Sequence, residues 1–192
     1  DEPYELYPAP TKIPCAALEF DLAKFGSVVN NVLDIKTALS TITFQNGVVF
    51  NNYIHASKQV GYFGFENCME DIIPLIKIPP YNSGAKGAAG NSVDGQGLER
   101  LGYAHGTIEN GKNFIRYHQP TWKGNYYEVL IQWIKISNKI LGQWTITTNK
   151  KARLPVLNIN LKEPTEWDTH MAWWNNFWKR SAVSIPDTIL EK

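Results

Sequence analysis

The chain's 18 carboxylates, four histidines and two cysteines are the side chains that could carry acid–base, nucleophilic or metal chemistry. Two carboxylates facing each other across a glycosidic bond would hydrolyse it, one as acid and the other as base or nucleophile. Glu66, Glu70, Asp71, Asp94, Glu99 and Glu128 are the candidates. Glu70-Asp71 reads as part of a connection and Glu99-Arg100 as a solvated pair, and no spacing brings two carboxylates to a working separation. His55, His105, His118 and His170 are scattered, with no ligand spacing between them and no nucleophile elbow beside them, so structural roles are expected. Cys15 and Cys68 form no CxxC and no Cys/His cluster, so no metal site is expected, and their spacing leaves a disulfide and two free thiols equally open. No catalytic residue, metal ligand or cofactor site is therefore assigned.

Glycines 84, 87, 90, 95 and 97 lie in one long loop after Ile78-Pro79-Pro80. A phosphate cradle needs Gly-Lys-Ser/Thr, or GxGxxG opening a helix, and neither is present. The loop reads as a surface connection, of a length that in compact domains often serves function.

Aromatic side chains are the stronger signal. Trp122 stands at a glycine-flanked turn in Tyr117-His118-Gln119-Pro120-Thr121-Trp122-Lys123-Gly124-Asn125-Tyr126-Tyr127. Such a ring can stack on the apolar face of a sugar, or fold back over a sheet edge. Trp122, Tyr126, His118 and Tyr103 are the candidate carbohydrate-binding residues. Four of the seven tryptophans, Trp167, Trp173, Trp174 and Trp178, fall close together near the end of the chain. At helical spacing Trp167, Met171, Trp174 and Trp178 share one stripe, with His170 and Phe177 at its edge. Trp173 lies off that stripe. All four tryptophans are candidate docking residues, with Trp173 expected to face a partner.

The elements that must position these groups are mostly strands. Over residues 33–162, runs of β-prone residues meet at Asn46-Gly47, at Asn110-Gly111 and at Ser137-Asn138-Lys139, three hairpin signals. Residues 60–66 read as another strand, with its glycines marking bulges. The strand from Tyr126 is partly apolar on both faces, as in a sheet covered on both sides. The spacing Thr165-Glu166-Trp167-Asp168 resembles a capping box and predicts a helix to about Arg180. The fold class is all-β, an antiparallel β-sandwich followed by one C-terminal helix.

The bulk numbers fit. A length of 192 residues suits one domain with an appendage. A net charge of +1 does not suggest nucleic acid or an acidic membrane as partner, and no apolar run reaches the length of a membrane span. The start at Asp1, without Met or signal peptide, is read as a trimmed chain, an exported product or a piece of something longer.

Three stretches carry a family resemblance. Residues 33–44 with 48–57, residues 101–103 with 117–129, and the tail His170-Met171-Ala172-Trp173-Trp174-Asn175-Asn176-Phe177-Trp178 with Ile185-Pro186-Asp187 resemble the N-terminal region of six-hairpin glycosidases. These proteins are similar to glycoside hydrolase family 95 and to uncharacterised relatives in gut bacteria. The resemblance implies a supersandwich-type β-sandwich over residues 1–162, and a linker helix and tail over residues 163–192 leading to an (α/α)6 barrel. The catalytic carboxylates of such families lie on the barrel, so none is carried over to this chain. It further implies an accessory domain, exported with its enzyme, that supports the barrel and lends residues 79–100 and 119–125 to a carbohydrate cleft. The residues themselves also allow a stand-alone carbohydrate-binding module, or an assembly protein docking through its tryptophan helix.

Overall fold

The structure, a computed structural model, describes residues 15–82, 97–99, 101–157, 160, 162 and 164–180. Among the described residues, ten strands and one α-helix run in the order β1 (Ala17–Glu19), β2 (Val28–Asp34), β3 (Leu39–Phe44), β4 (Val49–Ile54), β5 (Gly61–Glu66), β6 (Leu75–Lys77), β7 (Thr107–Asn110), β8 (Phe114–Pro120), β9 (Tyr126–Ile136), β10 (Lys139–Thr148) and α1 (Pro164–Arg180). Eight strands form one antiparallel sheet, ordered β2-β3-β4-β5-β10-β9-β8-β7, and β1 pairs with β6 as a two-stranded ribbon. The molecule is thus all-β with a C-terminal helix, a sandwich-like pairing of one large layer with one small one.

Register decides which side chains meet. Phe50 pairs with Phe65, Phe65 with Ile140, Trp144 with Ile131, and Ile131 with Ile115, so these residues share one face. That face is the core: Phe44, Phe50, Phe63, Phe65, Tyr117, Val129, Ile131 and Ile140 are all buried on it. Phe20, arriving from the chain before β2, sits 5.0–5.5 Å from the rings of Phe50, Phe63 and Phe65. Phe20 is partly buried there, and the apolar area it removes from water holds the covering segment and its ribbon on the sheet.

The opposite face carries polar residues. Residues 151–157 cross it without regular structure, because their backbone serves buried side chains of the sheet. The Ala152 N–H donates to Glu128, the Ala152 carbonyl accepts from Arg116, and the Pro155 carbonyl accepts from Gln143. Among the described residues the last strand ends at Thr148, short of the expected residue 162.

All three expected hairpins form. Gly47 takes a left-handed φ of 84°, as its turn demands, and Ser137 does the same at 53°. Gly111 has a different reason: a Cβ there would overlap the ring of Phe114. The glycines of β5 also mark no bulge, since its pairing with β4 and β10 runs without a shift. Gly61 instead leaves room for the Trp144 indole lying over it. β2 begins at Val28, earlier than the sequence suggests. Its seven residues are all exposed, so it shows no alternation to read. Most of the glycine loop and the tail after Arg180 lie outside the described residues.

Candidate functional site

Helix α1 begins with Pro164, carries Glu166 in its first turn and Lys179 and Arg180 in its last, each sign placed to complement the helix dipole. It lies across the tips of two hairpins. Tyr53 of β4 stacks on its cross-strand partner Tyr62, with centroids 4.9 Å apart. Trp167 meets the Tyr53 ring edge-on at 5.1 Å, and His170 packs against Tyr53 at 4.9 Å and Trp167 at 5.2 Å.

Polar contacts fix the helix at both ends. Lys58 grips the Glu166 carboxylate at 2.6 and 2.7 Å, and the Trp178 indole N–H donates to the Ile35 carbonyl at 3.0 Å. Between them His170 is fully buried, and its ring joins the Ala56 N–H to the Thr37 carbonyl. Burial holds its pKa below the usual histidine range. His55 nearby adds to this, and the bond to Thr37 partly opposes it. The stripe Trp167, Met171, Trp174 and Trp178 is half-buried against the sheet end. His170, placed by helical spacing at the edge of that stripe, stands instead at its centre. The backbone groups of the two turns reach exactly there, which sequence spacing does not reveal.

The outer face of α1 is aromatic. Trp173 is 42% exposed and Phe177 38%. Their rings are nearly parallel, 8° apart with centroids at 5.5 Å. Asn176 and Arg180 join them around a recess of about 310 Å³. Trp174 connects the outer pair to the buried side, edge-on to Trp173 at 4.9 Å and nearly parallel to Trp178 at 6.2 Å. Trp173 and Phe177 thus both face outward, the latter not merely at an edge.

The candidate carbohydrate-binding residues do not all converge. His118 and Tyr126 lie together on the polar face, with rings 4.7 Å apart. Trp122 is 54% exposed in a tight turn where Lys123 and Gly124 both take left-handed φ. Tyr103 belongs to a segment held against the other face, where Gln119 donates to the Ala104 carbonyl at 2.8 Å. Beside His118, Glu128 is buried and accepts from Arg116 and the Ala152 N–H, both at 2.7 Å. Burial works to raise its pKa, but these donors together with His118 hold it below the ordinary carboxylate range. Glu128 is thus a structural anion whose oxygens are already engaged. Arg116 was not singled out from the sequence; its pairing follows only from the β8–β9 register.

The remaining carboxylates are dispersed. Glu66, Glu70, Asp71 and Glu99 are exposed, and Asp94 lies outside the described residues. Asp71 pairs with Lys135 at 2.6 Å. Cys15 and Cys68 are free thiols, and burial raises the pKa of both. No group of three or more His, Cys, Asp or Glu stands at metal-binding distance among the described residues, and no described helix is long and apolar enough to cross a membrane. The arrangement is suited to recognition through aromatic surface. No family model matches the chain, and no curated protein matches it either.

Proposed function

We propose that this chain is a non-catalytic accessory domain of a glycoside hydrolase acting on complex carbohydrate, docked to an (α/α)6-barrel catalytic domain through the outer face of α1. The observation that carries the docking is the Trp173–Phe177 pair: two parallel, exposed rings on a helix whose other side is already anchored to the sheet. Aromatic rings around a recess, flanked by an arginine, have the composition of an interface core. The carbohydrate class of the enzyme rests on the resemblance of residues 33–57, 101–129 and 170–187 to six-hairpin glycosidases. The dispersal of the described carboxylates fits hydrolysis by residues on the barrel.

Two measurements test this reading. The purified 192-residue protein is assayed on a panel of glycosides, and no turnover is expected; hydrolysis of any of them overturns the proposal. The reading frame beyond Lys192 is translated, and a run of helical hairpins is expected there. The exposure of Trp122 supports a second reading, a carbohydrate-binding module. Glycan-array binding that disappears in a folded Trp122→Ala variant would favour it.

A further inference from the structure

Two imidazoles hold α1 to the sheet, and both spend every ring nitrogen in the neutral form. His170 Nδ1 accepts the Ala56 N–H at 3.2 Å, so its proton sits on Nε2, which donates to the Thr37 carbonyl at 2.7 Å. His55 Nδ1 accepts the Ser57 N–H at 3.2 Å, and its Nε2–H donates to the Glu166 carbonyl in the first turn of α1 at 3.1 Å. The ring centroids are 5.7 Å apart and both residues are buried. A second proton on the His170 ring must go to Nδ1, where it meets the Ala56 N–H, itself a donor. One bond is lost and two donors are opposed inside a site without water's screening.

We propose that His170 forms an acid-released latch, through which mild acidification lifts α1 from the two hairpin tips while the sheet stays folded. The core face of the sheet, built on Phe65, Ile131 and Ile140, involves no residue of α1. Release therefore leaves that core intact and exposes Trp167, Trp174 and Trp178.

The surrounding charges support this order of events. From α1, the Glu166 carboxylate lies 3.7 Å from His55 Nε2, but Lys58 of the β4–β5 turn grips the same carboxylate. Lys162, just before α1, sits over the Trp167 ring, and Asp168 is exposed. From β4 and β5 come only the phenols Tyr53 and Tyr62. In the β2–β3 turn, Asp34 spends its carboxylate on the Lys36 N–H and the Thr37 hydroxyl, and Lys36 is exposed. Among the described residues no anion touches His170, so it stays neutral until the helix leaves. Its lowered pKa gives the sign: docking is complete above the free-histidine pKa of about 6.5 and is lost as pH falls below it.

The test is hydrogen exchange on the full chain from about pH 7.5 to about pH 5, with rates corrected for intrinsic pH dependence, read beside tryptophan fluorescence. Helix amides are expected to lose protection by about tenfold or more and the emission to shift red, while β9 and β10 stay within about twofold. His170→Gln offers an amide oxygen to Ala56 and an amide N–H to Thr37 but cannot titrate, and its profile is expected to be flat. A helix that stays protected at about pH 5, a loss shared equally by β9 and β10, or an unchanged profile in His170→Gln overturns the latch. Should that variant fail to fold, ring NMR of the parent protein decides. His170 must gain its proton over the interval in which the helix loses protection; a ring that stays neutral while the helix leaves also overturns the latch.

Discussion

Trp178 donates its indole N–H to the Ile35 carbonyl at 3.0 Å, tying the last turns of the helix to a hairpin tip 143 residues earlier in the chain. Trp174, one turn before it, has the same donor buried with no hydrogen-bond partner among the described residues. The two tryptophans thus make opposite polar contributions from neighbouring positions. Trp178→Phe is expected to cost about 1 kcal/mol more than Trp174→Phe, because only the former leaves a carbonyl without its donor. Urea unfolding of the two variants checks this; equal losses, or the reverse order, would show that ring packing alone decides.

Gly142 of β10 lies under Phe63 of β5, close enough that a Cβ would overlap the ring. The aromatic ring uses the glycine's missing side chain as its packing site. Gly142→Ala should destabilise the protein by roughly 2–3 kcal/mol through overpacking. In a Phe63→Ala background the same change should cost less than half as much, and a double-mutant cycle measures the difference. Additive losses would mean that the strain lies in the backbone instead.

These close contacts explain what was legible beforehand. Asn46-Gly47 and Asn110-Gly111 announced hairpins because turn geometry is local, and the helix was visible in its period and in Thr165-Glu166. The glycines of β5 and β10 could not be interpreted, because their neighbours Trp144 and Phe63 come from other strands. The start of β2 is not legible in the sequence, because an exposed edge strand has no buried side to impose alternation. The same limit applies to the candidate site. Trp173 is outward because helical spacing puts it there. His170 is central because the Thr37 carbonyl and Ala56 N–H reach it, a fact of tertiary structure. Tyr103 and Tyr126 share a residue type, and only the tertiary bond from Gln119 to the Ala104 carbonyl sets the Tyr103 segment on the other face.

Glu128 is the one buried carboxylate among the described residues, and its pKa is lowered in the fold. A carboxylate lowered on folding contributes stability above its unfolded pKa of about 4.3, and loses it as pH falls through the folded value. Glu128→Gln takes from Arg116 the nearer of its two carboxylates, leaving Glu109 at 3.6 Å, and should cost about 2–3 kcal/mol at neutral pH. The deficit should narrow as pH falls below the unfolded value of about 4.3, because the parent's contribution fades on the way down to its lower folded pKa. Denaturant midpoints of both proteins at the two pH values test the sign; a deficit that widens in acid contradicts it.

Trp173 and Phe177 face away from the sheet, and their removal should leave the fold alone. Trp173→Ser with Phe177→Ser is expected to change the unfolding free energy of the isolated chain by no more than about 0.5–1 kcal/mol, since few contacts to the sheet are lost. Trp174 gives up two ring partners in the process, which sets the upper end of that range. The effect on association should be larger. An exposed aromatic patch is adhesive, so the parent chain should self-associate weakly at high concentration, and the double variant should remain monomeric by light scattering. A parent chain that is strictly monomeric across the same concentrations would show that Asn176 and Arg180 wet the recess enough to suppress docking, and would remove the main physical support for a partner on this face.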